Sequence, residues 1–292
     1  MADLKYRFTY DTLVKMLFVS HPDLLIRLVA AILGIDVNSI TEFSITNPEI
    51  PPESIGDKFC RLDINMKIND KLANLEVQVA NEGDYPERSL YYWARVYSSA
   101  LKSGQPYSSL PQVIIISIVD FPLFNSEDYR SEFRPLEVTR HEPLSDRMAM
   151  LYFEVQKLPN GIDAGNELEL MLSLFRAKTE EELTQLAATE VPIVKQAIGA
   201  YGEIIQSSEF REYERLRADA RHNEASALAH ARKETEQKVT EQWQSVVAEK
   251  DAALSEKDAA LSEKDAVLSE KDAEIEMLRA QLAEFNKELE SS

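Results

Sequence analysis

The sequence predicts an α/β domain built on a mixed sheet, followed by a helical region and a long C-terminal heptad-repeat helix. Three observations predict it. Residues 61–68 and 72–79 alternate apolar and polar side chains, the period of a half-buried strand, and flank an Asn69-Asp70 pair suited to a tight turn. Residues 113–119 are almost continuously apolar, which suits a central strand covered on both faces. Leu254, Leu261, Leu268, Ile275, Leu282 and Leu289 recur every seventh residue, the coiled-coil period.

Each element has a local reason. Residues 10–18 form an amphipathic segment, and Ser20 with Asp23 has the spacing of a capping box for a helix over 22–33 that Gly34 closes. Residues 40–50 read as a strand stopped by Pro51-Pro52. The hairpin follows, and its turn sets the register: with Ile68 facing Lys71, Ile64 faces Leu75, Leu62 faces Val77 and Asp63 faces Glu76. One face is then aliphatic and the other carries Asp63, Glu76 and Gln78. Asp84 and Glu87 suggest another capping box, for a helix over 86–102 ending near Gly104. Because this helix separates the hairpin from strand 113–119, that strand is reached by a crossover and the sheet is partly parallel. Residues 148–155 extend it. From Asn166 the pattern is helical, and a long charged helix starts near Ser208.

The predicted organisation is therefore an α/β domain over 1–160, a helical extension over 161–207 and the charged helix over 208–292. The net charge is −19, and residues 245–292 alone carry 6 basic and 13 acidic side chains. Such a balance excludes a protein that coats nucleic acid nonspecifically. A single cysteine, Cys60, excludes an internal disulfide framework and a cysteine-based zinc site. The N-terminus lacks an apolar leader and no apolar run has membrane-spanning length, so the expected location is cytoplasmic, with no membrane partner. The histidines have no ligand spacing, and there is no glycine-rich phosphate loop or nucleophile elbow.

Two carboxylates side by side on one strand face repel unless a positive charge lies between them. Asp63 and Glu76 therefore read as a shared Mg²⁺ site, with Mn²⁺ as substitute, for phosphodiester hydrolysis. Gln78 is placed to position water or a phosphate oxygen, and the Val77 carbonyl to add an oxygen ligand. The competing reading makes this the wet face of an edge hairpin. Arg88, Tyr92 and Arg95 recur on one face of the next helix, Arg88 suiting a phosphate and Tyr92 a substrate hydrogen bond. Lys15 supplies the cation the strand motif lacks, or forms an ordinary surface pair with Asp11. Glu49 is a further candidate carboxylate.

Taken together, Tyr10-Asp11-Thr12-Leu13-Val14-Lys15-Met16-Leu17-Phe18, Arg61-Leu62-Asp63-Ile64, Asn74-Leu75-Glu76-Val77-Gln78 and the stretch Arg88-Ser89-Leu90-Tyr91-Tyr92-Trp93-Ala94-Arg95 resemble the PD-(D/E)XK nuclease superfamily. Within it they are most similar to the Rpn family of recombination-promoting nucleases and transposases. The resemblance covers about residues 6–157. It implies a restriction-endonuclease-like αβββαβ core and Mg²⁺-dependent cleavage of DNA, a transient substrate, with Asp63 and Glu76 in the two acidic metal-binding places. Gln78 stands where the superfamily usually has lysine, and a neutral amide cannot stabilise anionic charge as lysine does; Lys15 or Arg88 would have to compensate. The alternative is a catalytically weak or inactive nuclease-like protein that acts as an interaction or regulatory module through its helical tail. That tail predicts a homo-oligomer, weakened where lysine fills the second seam position at 257, 264 and 271.

Overall fold

The structure, a computed structural model, describes residues 2–46 and 64–290, with side-chain surroundings given up to residue 282. Two compact units are present, Met1–Arg221 and His222–Ser292. The first is an α/β unit on a six-stranded mixed sheet in the order β1-β2-β3-β4-β6-β5.

Its strands are β1 (Phe43–Ile45), β2 (Ile64–Ile68), β3 (Lys71–Gln78), β4 (Val113–Val119), β5 (Arg130–Phe133) and β6 (Met148–Glu154). The expected register is observed: Ile68 pairs with Lys71 and Ile64 with Leu75 in the antiparallel hairpin. Asn69 takes the left-handed backbone at φ 51° that the tight turn requires. Its side chain also accepts hydrogen bonds from the Thr41 and Glu42 backbone N–H groups at 2.9 and 3.0 Å. These bonds tie the turn to the chain entering β1. The strand expected over 40–50 is thus described only as Phe43–Ile45, after a turn of 3-10 helix at Val37–Ser39. Residues 47–50 of that expectation lie outside the described residues.

β4 is buried at every position and runs parallel to both β3 and β6, which accounts for its unbroken apolar sequence. β5 is a charged edge strand that the sequence reading did not anticipate, antiparallel to β6.

Helices α1 (Asp11–Ser20), α2 (Pro22–Leu33), α4 (Glu167–Arg176), α5 (Glu180–Ala187) and α6 (Pro192–Gln206) share one hydrophobic cluster with the sheet residues Ile64, Met66, Leu75, Ile116 and Phe153. Helix α3 (Tyr85–Ser99) belongs to a separate cluster with Val113, Ile115, Val119, Met150 and Tyr152. Phe8, stacked on Tyr201 at 4.8 Å, and Phe210 join the larger cluster, so the helices after residue 160 share one core with the sheet. Each large apolar side chain so buried stabilises the fold by about 1.5–3 kcal/mol. Arg7 fastens two layers: its guanidinium donates to Asp120 at 2.7 Å, just after β4, and to the Phe175 and Ala177 carbonyls at the end of α4, each at 3.3 Å.

Two capping boxes differ from expectation. The residue before α2 is His21 rather than Ser20, and Pro22 opens the helix with no side-chain cap. Asp84 does precede α3, but its side chain makes no capping bond. Gly34 closes α2 in the left-handed conformation at φ 65°. Helix α7 (Ser208–Glu290) begins where the sequence placed it. Among the described residues no single helix is long and apolar enough to cross a membrane; α1 and α2 pass that test only as a pair bent by 102°, and both contribute to the core.

Candidate active site

Alternation along β3 separates chemistry from packing. Ala73 and Leu75 join the larger core, with Val77 against it, while Asn74, Glu76 and Gln78 lie on the face covered by α3. Register carries the polar face across the sheet: Glu76 is beside Ser117 of β4, which is beside Tyr152 of β6. All three are buried.

Helix α3 closes this row from above. The fully buried Tyr85, in its first turn, donates its hydroxyl to Glu76 Oε2 at 3.2 Å. Gln78 Nε2 donates to Glu76 Oε1 at 2.7 Å. Glu76 is 2% exposed and Gln78 7%, so the reading of a wet edge hairpin does not hold: β3 is an interior strand beneath a helix. Burial, and after it the charge of Glu76, push the Tyr85 hydroxyl well above the ordinary tyrosine value, so it remains a donor. One turn along, Ser89 and Tyr152 share a hydroxyl–hydroxyl bond of 2.5 Å. Burial raises the Tyr152 hydroxyl as well.

Arg88 stands over the Tyr85 ring at 4.8 Å, a cation–π contact that brings its charge to the same end of α3. Its Nη1 donates to Glu82 at 2.8 Å, while its buried Nε and Nη2 have no hydrogen-bond partner among the described residues. Two donors so arranged match two oxygens of a phosphate. Tyr92 follows on α3 and is partly buried. Lys15 is 2% exposed, so it does not form the surface pair offered as one expectation; the Asp11 carboxylate instead meets Arg217 at 3.2 Å.

Asp63, Glu49 and Cys60 lie outside the described residues. Among the described residues no group of three His, Cys, Asp or Glu side chains is placed to hold a metal ion. The described oxygen donors are Glu76 and the Val77 carbonyl. Leu72 N donates to Gln112 O at 2.9 Å, and Gln78 O accepts from Asp120 N at 2.9 Å. The even-numbered backbone groups of β3 therefore face β4, and the Val77 carbonyl is turned toward the β2 side. All-oxygen donors suit a hard divalent cation in kind, and Glu76 and Val77 supply two of the roughly six ligands such an ion takes, several of which are ordinarily water.

Tyr85, Ser89, Ser117 and Tyr152 were missed as members of this cluster. Ser117 left one signal, a hydroxyl inside an otherwise apolar strand; the others are joined by contacts the sequence does not pair.

The comparisons with known proteins agree with this architecture. The family model described as PD-(D/E)XK nuclease family transposase matches residues 9–231. The chain belongs to that family, and the match spans the sheet, its covering helices and the start of α7. No curated protein and no solved structure matches the chain.

Proposed function

We propose that this chain is a catalytically weak or inactive PD-(D/E)XK nuclease-like protein that works as an interaction module through its C-terminal helix. The observation that carries this reading is the engagement of both Glu76 oxygens by neutral donors inside a covered cluster, the Tyr85 hydroxyl and the Gln78 amide. A cation at Glu76 would have to share or displace these bonds, and a hydrogen bond to a charged acceptor contributes about 1.5–3 kcal/mol. Gln78 also stands where the superfamily usually has lysine. The amide leaves developing phosphate charge without the fixed cation that accounts for much of such catalysis.

The second reading is a Mg²⁺- or Mn²⁺-dependent endonuclease of the Rpn type that cleaves DNA in recombination or transposition. Family membership favours it, as does the spacing of the sequence, in which a hairpin turning at Asn69-Asp70 is expected to set Asp63 opposite Glu76. Asp63, Glu76 and the Val77 carbonyl would then hold the ion, whose chemistry is to polarise the scissile phosphate and acidify water. Arg88 would take phosphate oxygens through Nε and Nη2, Tyr92 would donate to the substrate, Gln78 would orient water, and Lys15 would offset negative charge. The division at 160 and 207 is a separate proposal, of segments packed on one shared core; it predicts proteolytic nicks near those positions that leave the pieces associated.

Removing residues 245–292 tests the first reading. The expected result is a fall in assembly mass with little change in supercoiled-plasmid cleavage under Mg²⁺, Mn²⁺ or EDTA. Fast cleavage that EDTA and Asp63→Ala abolish, with an unchanged mass after truncation, would instead establish the endonuclease.

A further inference from the structure

The tail helix carries an exposed ladder, Val247, Leu254, Leu261, Leu268, Ile275 and Leu282, each 45–62% exposed and seven residues from the next. The charges beside this ladder are arranged unusually. Lys250, Lys257 and Lys264 stand one, six or eight residues from the acids of the repeat, never three or four. Side chains meet along a helix surface at spacings of about three and four, so these lysines cannot pair within their own helix. Only the last, Lys271, has such a neighbour, Glu274 at 3.0 Å. A polar helix without such pairs is poorly stable alone, which argues for a partner.

Position relative to the leucines identifies that partner. At the coiled-coil period each residue advances about 103° around the axis. The lysine three residues after each leucine therefore lies about 50° to one side of the ladder, and the aspartate four residues after it about 50° to the other. One flank reads Lys257, Lys264, Lys271 and the opposite flank Asp258, Asp265, Asp272. When two such helices run parallel with their ladders in contact, each lysine flank faces the other helix's aspartate flank, one residue or about 1.5 Å apart along the axis. When they run antiparallel, lysine faces lysine and aspartate faces aspartate. The surplus acids Glu256, Glu263 and Glu270 fall two residues after the leucines, about 150° from the contact line, where their repulsion is most screened by water.

We infer that the tail pairs with the tail of a second copy of this chain, parallel and in register, through the leucine ladder flanked by reciprocal lysine–aspartate pairs. With the contact centred on the leucines, the lysines flank the contact line instead of packing against one another, and they set the orientation of the pair. Beyond Lys271 the seam becomes apolar at Leu278, 57% exposed, which closes the pair at its C-terminal end. This inference deepens the proposed interaction role of the helix and rests on it.

The test uses the full chain carrying Cys60→Ser, with a single cysteine introduced by Leu254→Cys or by Leu282→Cys. Parallel pairing predicts that each variant alone forms disulfide-linked dimers under mild oxidation, and that the cysteine-free parent doubles in mass by sedimentation. A parent that stays monomeric, or links formed only when the two variants are mixed, would overturn it. Lys257→Glu, Lys264→Glu and Lys271→Glu together should abolish the dimer. Mixing with a chain carrying Asp258→Lys, Asp265→Lys and Asp272→Lys should restore it, whereas an unaffected triple-Glu dimer would refute the charge pairing. Rapid plasmid cleavage by the same protein would defeat the reading of weak catalysis and leave this pairing intact, so the two failures are distinguishable.

Discussion

The two faces of β3 are made by neighbouring residues of one strand, yet they are built on different principles. Leu75 and Ala73 sit in a hydrocarbon cluster to which six helices contribute, where each side chain adds to stability by burial alone. Glu76 and Gln78, as deeply placed, are tolerated because Tyr85 and each other satisfy their polar atoms. The difference teaches that the aliphatic face supports the fold while the polar face is retained at a cost in desolvation, the pattern expected where a fold keeps residues for chemistry or for its former site.

The largest test of that contrast is Leu75→Ala, which should lower unfolding free energy by about 2–5 kcal/mol through lost burial and a cavity. Chemical denaturation monitored by circular dichroism measures it. Glu76→Ala should cost less, about 1–3 kcal/mol, by stranding the Tyr85 hydroxyl and the Gln78 amide. If Glu76→Ala proved the more damaging of the two, the division of labour between the faces would be wrong. Tyr85→Phe, which removes one donor while keeping the ring, should cost about 1.5 kcal/mol, the low end for a bond to a charged acceptor. The last effect, confined to alkaline pH, concerns Tyr10, whose hydroxyl donates to Glu214 at 2.6 Å. Burial, reinforced by that bond, pushes its value up to about 12. The folded state then holds this proton more tightly than the unfolded state, whose tyrosine titrates near ~10. Its contribution to stability is complete below about pH 10 and is lost as pH rises toward 12. Alkaline unfolding of Tyr10→Phe should lack this component, and an identical pH profile in both proteins would refute it.

Much of the sheet could be read from the sequence because its determinants are local. Asn69-Asp70 fixed the hairpin register through one left-handed residue, and strict alternation then placed Leu75 and Glu76 on opposite faces. The ends of α2 and the start of α7 were equally legible from Pro22, Gly34 and the charge pattern after Ser208. What escaped depends on distant partners. Tyr85 reaches Glu76 only because α3 folds back over the strand, and Ser89 reaches Tyr152 across 63 residues. Arg7 finds Asp120 across 113. Edge strand β5, with sequence Arg130-Ser131-Glu132-Phe133, has too few apolar residues to announce itself; only its pairing with β6 defines it. Of the site, the strand residues and the approach of α3 with Arg88 and Tyr92 were legible, and the contacts of Tyr85 and Ser89 were not.

The account turns on whether Glu76 takes part in turnover or serves as the acceptor for Tyr85 and Gln78. The direct measurement is the initial rate of supercoiled-plasmid nicking in Mg²⁺ by the intact chain, compared with Glu76→Ala of verified fold. The account predicts rates within about twofold of each other, a difference in barrier under about 0.5 kcal/mol. A native rate ten or more times that of Glu76→Ala, about 1.4 kcal/mol or more, and suppressed by EDTA, would contradict it.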